Sequence, residues 1–364
     1  MSIAEQHDDA EPIADAFAER VFASALGAVE LFSVYVGDRL GWYRSLADEG
    51  PATYAELAAR TSTDERYTQE WLEQQAVYGI LETDPSVAAD ERRYGMNEAV
   101  TEVLTDETSQ AYLAPISRAF AAVGKQLPAL LDAYRSGGGV SWDDLGDDAR
   151  EAQAAMNRPW FEQQLGGALS GVPEVHEILS RDDARILDVG AGGGWSSIAL
   201  AKAYPNARVD GIDVDAPSVE MATQNAADAG LSDRVSFGLG DAGSLGDSAA
   251  YDAAFAFECV HDMPRPVEVL AAVRGAVKPD GAVIVMDEAV ADEFTAPGDD
   301  VERLMYGFSV FVCLPDGMSS QPSVGTGTVM RRSTLERYAD EAGYAGVDVL
   351  PIEDFAFFRF YRLR

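Results

Sequence analysis

Arg185-Ile-Leu-Asp-Val-Gly-Ala-Gly-Gly-Gly-Trp-Ser-Ser-Ile-Ala-Leu-Ala201 reads as a buried strand that turns through glycines into a helix. Ile186 to Val189 are the apolar run of the strand, and the helix opens near Trp195. Such a turn lays backbone N–H groups against a ligand, because glycine enters the left-handed region without a Cβ penalty. The dinucleotide fingerprint Gly-x-Gly-x-x-Gly is not met. Gly190 and Gly192 fill its first two positions, but Trp195 stands at the third, where close helix–strand packing needs no side chain. What remains is Asp188-x-Gly190-x-Gly192-x-Gly194, with a carboxylate ahead of the first glycine. A carboxylate aimed into the crevice repels a pyrophosphate and suits a ligand with positive charge and amino groups.

Downstream, strands alternate with helices, which predicts a parallel sheet with ligands at the carboxyl ends of its strands. Arg208 to Asp213 is the second strand, Val235 to Leu239 the third, Tyr251 to Phe257 the fourth and Gly281 to Met286 the fifth. Asp188, Asp213, Asp241, Glu258 and Asp287 all fall at or just past such ends. The order of Asp188 with its glycines, then Asp213, then Gly240-Asp241 resembles the cofactor site of the class I S-adenosylmethionine (SAM) methyltransferases. That resemblance implies SAM as cofactor. Gly190, Gly192 and Gly194 would line its methionyl part and ribose, and Asp213 would hold the two ribose hydroxyls. Asp241 would accept from the adenine amino group, with Val214 and Ala242 flanking the ring. It also implies a seven-stranded Rossmann-like α/β domain, Gly346 to Leu350 and Phe355 to Leu363 supplying the sixth strand and an antiparallel seventh.

The fourth strand runs into Glu258-Cys-Val-His261-Asp262-Met-Pro. Methyl transfer to oxygen is an in-line displacement, and an acceptor hydroxyl with a pKa of ~10 needs a base, for which an imidazole near ~6.5 is suited. His261 fits that role at the active edge of the sheet, while His176 lies on a linking helix and reads as packing. Cys259 and His261 without a third ligand do not make a metal site. The segment resembles the strand-plus-His-Asp stretch of the plant and actinobacterial small-molecule O-methyltransferases, whose base is that histidine and which carry a winged-helix dimerisation domain. The family commonly follows His-Asp with Trp, where Met263 stands here. Asp287 or Glu288 matches the first of two carboxylates that flank the base, and Arg331 and Arg332 fall near the second. The insertion from Ala289 to about Met330, with Tyr306, Phe308 and Phe311, reads as a lid over a mostly apolar acceptor.

Toward the N-terminus, Thr53-Tyr-Ala-Glu56 and Thr63-Asp-Glu65 open two short helices, and Ile80 to Glu82 and Arg93 to Met96 flank a polar loop as two strands. This predicts a winged helix-turn-helix over about 52–98. Its second helix offers Asp64, Glu65, Glu70 and Glu73 against Arg66, the wrong sign for phosphates, so a protein-interaction module is expected and nucleic acid is not. Residues 1 to about 11 read as a polar, frayed tail. The apolar run from Phe17 to Tyr43, loosened by Gly27, Gly37 and Gly41, predicts a helical pair that packs against a second copy in a homodimer. Expected boundaries are a dimerisation domain over 1–104, a helical linker over 105–180 and the methyltransferase domain over 181–364.

Acidic residues number 62 against 27 basic ones, a net charge of −35 over 364 residues. Such a surface repels nucleic acid and anionic membranes, and with three lysines it resembles proteins adapted to high salt. No signal-peptide pattern and no apolar run near the ~20 residues of a membrane span is evident, which predicts a cytoplasmic protein. The expected function is SAM-dependent methylation of a small acceptor, with N-, S- or C-methylation by proximity alone as an alternative. A winged-helix regulator or an inactive SAM-binding protein is a further alternative.

Overall fold

A computed structural model describes the backbone of residues 10–364 and the side chains from residue 13 onward. The expected N-terminal tail, with His7, lies outside the described side chains. The chain divides into two compact units, one ending at Ala121 and the other beginning at Ala122.

The first unit holds α1 (Ala10–Arg39), α2 (Trp42–Glu49), α3 (Tyr54–Thr61), α4 (Glu65–Val77), an antiparallel wing of β1 (Glu82–Thr83) and β2 (Tyr94–Gly95), and α5 (Glu98–Thr105). A capping box between Thr53 and Glu56 starts α3, and the Asp64 carboxylate caps α4. Trp42, Tyr43, Leu57, Trp71, Leu72 and Tyr94 pack together as the core beneath the wing. Gly27 and Gly37 do not break the first apolar run, which is one helix of 30 residues, and only Gly41, at φ 70°, ends it. Gly37 has a packing reason to be glycine, because the rings of Trp71 and Tyr43 fill the space a Cβ would need. Apolar side chains of α1 stand exposed from Ile13 and Phe17 through Leu26, Val29 and Phe32 to Val36. By length and composition the segment Ile13–Arg39 is apolar enough to cross a membrane, so the expectation that no run approaches a span does not hold for this helix.

α6 (Ala114–Ser136) spans the boundary. The second unit continues with α7 (Trp142–Leu145), α8 (Asp147–Trp160), α9 (Gly166–Ser170) and α10 (Pro173–Leu179). Pro128 lies inside α6, and Pro159 inside α8 is followed by a π-helical turn over Phe161–Leu165 that carries the chain into α9. Then come β3 (Arg185–Val189), α11 (Trp195–Ala203), β4 (Arg208–Asp213), α12 (Ala216–Asp228), β5 (Val235–Leu239), β6 (Tyr251–Phe257), α13 (Pro266–Ala276) and β7 (Val277–Glu288). The chain closes with α14 (Asp300–Phe308), α15 (Leu314–Ser319), α16 (Arg332–Glu341), β8 (Val347–Val349) and β9 (Phe358–Leu363).

The seven strands order as β5-β4-β3-β6-β7-β9-β8, and β9 is antiparallel to both neighbours, as the family resemblance implies for the last strand. Both faces of the sheet are covered, Ile186, Phe255 and Ile284 facing one core and Leu187, Ala254 and Val285 the other, which is why these strands read as unbroken apolar runs. Chain direction across the sheet reverses between β3 and β6, and in an open α/β sheet a ligand crevice forms outside the carboxyl ends at that switch point. The glycine turn after β3 and the His-Asp turn after β6 therefore meet at one edge.

Candidate active site

Gly190, Gly192 and Gly194 all occupy the left-handed region, at φ 67°, 50° and 79°. Their surroundings differ. A Cβ on Gly190 would sit 2.8 Å from Cys259 Cβ, and one on Gly194 would sit 2.7 Å from Phe237 Cζ. Gly194 thus performs the close helix–sheet packing for which the spacing suggests no residue. Gly192 has nothing within 4 Å of a Cβ position, so its face is open to a ligand.

Asp213 ends β4 and accepts the Gly192 N–H at 2.8 Å and the Asp215 N–H at 2.9 Å, stapling the glycine turn to the second strand. Burial raises its pKa above the usual carboxylate range, against these backbone bonds. Asp188 is less open than expected. It is fully buried, and Oδ2 accepts from the Ser196 and Ser197 hydroxyls, each at 2.6 Å, while burial pushes its pKa up to about 6. Its Oδ1 has no hydrogen-bond partner. Asp241 turns one oxygen to the Gly243 N–H at 2.8 Å and the other to Arg265 at 3.3 Å. Val214 is exposed beside Asp213 and Ala242 is buried beside Asp241. An open glycine face, a buried acceptor oxygen without a partner and two further acids at the same edge fit the hydroxyls and amino groups of SAM.

After β6 the chain takes a strained step, Glu258 at φ 50°, fixed by its N–H donating to the Met286 carbonyl at 2.8 Å. Glu258 Oε2 accepts from Gln153 at 3.0 Å, Oε1 has no partner, and burial pushes the carboxyl up to about 8. Cys259 Sγ donates to the Val189 carbonyl at 3.2 Å. His261, 2% exposed, meets Asp287 Oδ1 through Nδ1 at 2.9 Å, with Glu288 Oε2 3.3 Å from the same nitrogen and Asp262 Oδ1 3.2 Å from Nε2. Burial alone would lower an imidazole pKa, but the carboxylates of Asp262, Asp287 and Glu288 outweigh it and hold His261 well above its usual range. For Asp287, burial is likewise outweighed, by His261 and a hydrogen bond with Glu288, and its pKa is lowered. Burial and the Asp287 charge keep Glu288 well above the usual range. The opposed shifts of His261, upward, and Asp287, downward, favour a charged pair between them, while burial pushes the carboxyls of Glu258 and Glu288 the other way, toward their neutral forms. A base near 6.5 is therefore not what the fold provides; the acids around it shift the imidazole upward.

Sequence spacing offers His261 no third ligand, yet the fold brings other elements to it. Ligand atoms of His261, Asp287 and Glu288, and again of His261, Asp262 and Cys313, lie within 4.8 Å of one another. Besides Asp287, the carboxyls of Glu288 and Asp262 lie beside His261, while Arg331 is engaged elsewhere, 3.1 Å from Glu302. The insertion is helical from Asp300 to Ser319, with a π-helical turn at Ser309–Cys313, and its following loop laps onto the His-Asp turn. The Gly327 N–H donates to the His261 carbonyl at 3.1 Å and the Val324 N–H to the Pro264 carbonyl at 3.0 Å. His176 packs on Tyr204, as expected. Sequence reasoning missed Arg150, Gln153 and Asp316. Asp316 accepts the Trp142 N–H at 2.7 Å, and burial pushes it up to about 7. The available signal for Arg150 was a lone arginine in Trp142-Asp-Asp-Leu-Gly-Asp-Asp-Ala-Arg150.

Residues 180–311 match the family model of a methyltransferase domain, and residues 27–106 match that of an Rv2258c-like winged HTH domain. The ribosomal RNA small subunit methyltransferase G of Ralstonia nicotianae is 32% identical over 152 residues, covering 37% of this chain and 67% of that protein. The chain spans much less of other curated relatives, 22% to 40% of their lengths in the examples of a Porphyromonas gingivalis tRNA1(Val) (adenine(37)-N6)-methyltransferase and the Halalkalibacterium halodurans malonyl-[acyl-carrier protein] O-methyltransferase. The mitomycin 7-O-methyltransferase MmcR superposes with a TM-score of 0.68 over 97% of this chain and 99% of that one, at 22% identity. Human N-acetylserotonin methyltransferase in complex with SAM gives 0.64 over 100% and 99%, at 19% identity. At these identities the two structures share the fold, two-domain order included. With the glycine turn, its row of acids and the sheet order on the same chain, the protein belongs to the SAM-dependent methyltransferases, a class I Rossmann-like enzyme behind a winged-helix domain.

Proposed function

We propose that the enzyme methylates a hydroxyl oxygen of a small, mostly apolar acceptor, with His261 as the base. The observation that carries this reading is the buried His261–Asp287 pair at the carboxyl edge of β6 and β7, beside the cofactor turn. Nε2 of a neutral His261 would take the acceptor O–H proton, which frees the oxygen to accept the methyl group that SAM would supply, with S-adenosylhomocysteine as the leaving product. Asp287 holds Nδ1–H and stabilises the imidazolium formed. Exposed aromatic edges of Tyr306 and Phe311 on the insertion suit an apolar acceptor. A second reading, transfer by proximity to an amine, thiol or carbon nucleophile, is favoured by one observation: the surrounding acids hold the His261 pKa well above its usual range, which favours the charged form, and an acceptor already nucleophilic needs no base from it. Incubating the protein in molar salt with methyl-labelled SAM and a metabolite extract, then locating the label in the product, tests the reading. Label on nitrogen, sulfur or carbon in every product overturns it.

We also propose that the protein is a cytoplasmic homodimer built on α1, and that it does not bind DNA. Arg66 of α4 is paired with Glu70, which leaves that helix no free cation for a phosphate. Removing residues 1 to 50 is expected to give monomers or aggregates in sedimentation, because the partner face of α1 is lost while the apolar surface beneath it is uncovered. Full-length protein that sediments as a monomer in molar salt, or that requires detergent to stay in solution, overturns the dimer.

A further inference from the structure

Helix α8 is tied to the cofactor site at three points on three different elements. Ala154 Cβ lies 2.7 Å from where a Cβ on Gly193 would stand, so the helix crosses directly against the glycine turn. Gln153 donates to Glu258 at the end of β6, at 3.0 Å. Arg150, 5% exposed, donates to both oxygens of Asp215, from Nε at 2.7 Å and from its terminal nitrogen at 2.8 Å. Asp215 follows the ribose acid by two residues, and its own N–H donates to Asp213 Oδ1 at 2.9 Å. The same Asp215 carboxylate caps α12 through the Ser218 N–H at 3.0 Å and hydroxyl at 2.6 Å. The connection from guanidinium to Asp215 to Asp213 is thus continuous.

We propose that Arg150 is a positioning residue for the cofactor: through a bidentate clamp on Asp215 it fixes Asp213 and the adjoining glycine turn in the arrangement that receives the ribose. Of the carboxylates that meet Arg150, Asp143 and Asp147 are 84% and 83% exposed and hold it only weakly in salt, whereas the Asp215 side chain is 10% exposed. Removing the guanidinium leaves a buried carboxylate uncompensated beside Asp213, and the loop between β4 and α12 must shift toward water to relieve it. Lysine restores the charge but not the two parallel bonds. Arg150 pairs with Asp143, Asp147 and Asp215 and with none of the residues around His261, so the chemical step at saturating cofactor is expected to be left alone.

The test is calorimetric titration of SAM and S-adenosylhomocysteine into the full-length protein and its variants, with far-UV circular dichroism to establish folding. Arg150→Ala is expected to raise both Kd values roughly 10–100-fold, Arg150→Lys by an intermediate factor, and the exposed control Asp147→Asn by less than about twofold. At saturating SAM, kcat is expected to stay within about threefold and the acceptor KM to be unchanged. Wild-type Kd in folded Arg150→Ala, whatever its loss in Tm, overturns the proposal and leaves a stabilising ion pair only. If Arg150→Ala does not fold, the charge-balanced pair Arg150→Gln with Asp215→Asn takes its place. That variant is expected to fold and still bind weakly, and wild-type affinity in it overturns the proposal equally.

Discussion

Asp213→Ala is expected to weaken SAM binding by about 1–3 kcal/mol, a Kd rise of roughly 5- to 150-fold. Two effects add. The ribose hydroxyls lose a charged acceptor, and the glycine turn loses the staple that holds the Gly192 N–H at 2.8 Å from Asp213 Oδ2. Asp213→Asn separates them, because its amide oxygen keeps a bond to Gly192 while the charge disappears. The pH dependence follows from the upward shift of the Asp213 pKa by burial. Binding that needs the carboxylate is complete above that pKa and declines as pH falls through it, so affinity is expected to begin dropping at a higher pH than an ordinary aspartate would give. Calorimetry with S-adenosylhomocysteine over an acidic pH series reads both effects. Unchanged affinity in Asp213→Ala rules out the ribose assignment.

The central strands were legible because they are buried on both faces, so Ile186–Val189 and Ala253–Phe257 stand out as apolar runs with a defined stop, whereas the edge strand Val235–Leu239 is mostly exposed and was readable from its place ahead of Gly240-Asp241. Helix continuity was less so. Gly27 and Gly37 signal a break locally, and the reason they do not break α1 is partly tertiary, since Gly37 sits under Trp71, 34 residues downstream. The places of the candidate acids after the strands were legible, but not their partners. Nothing in the spacing of Asp188 says that Ser196 and Ser197 will take one of its oxygens, a consequence of how the next helix returns over the strand. Arg150 and Gln153 were invisible for the same reason: their role is defined by Asp215 and Glu258, 65 and 105 residues away in sequence. The surroundings of His261 show the limit most clearly. Its identity as the candidate base was readable from its place after β6, but its protonation state depends on Asp262 from the turn after β6 converging with Asp287 and Glu288 at the end of β7, and that convergence reverses the shift expected from burial.

His261→Ala is expected to lower kcat by roughly 10²–10⁴-fold while leaving SAM affinity nearly intact, because the imidazole acts on the acceptor and not on the cofactor. A base works only when neutral. Since the neighbouring carboxylates hold His261 well above the usual imidazole range, the wild-type rate is expected to keep rising with pH past neutrality, and to fall as pH drops through that raised pKa. Asp287→Asn provides the sign test. It removes the negative charge 2.9 Å from Nδ1, so the imidazole pKa falls and the rising limb moves to lower pH, even as poorer orientation reduces the maximal rate. Transfer by proximity alone predicts the opposite pattern: His261→Ala keeps most of its rate, and the limb follows the acceptor's pKa and does not move in Asp287→Asn. Full pH–rate profiles of the three proteins with one accepted substrate decide between them. A limb that stays in place when the Asp287 charge is removed takes His261 out of the proton path, whatever the mutant's rate.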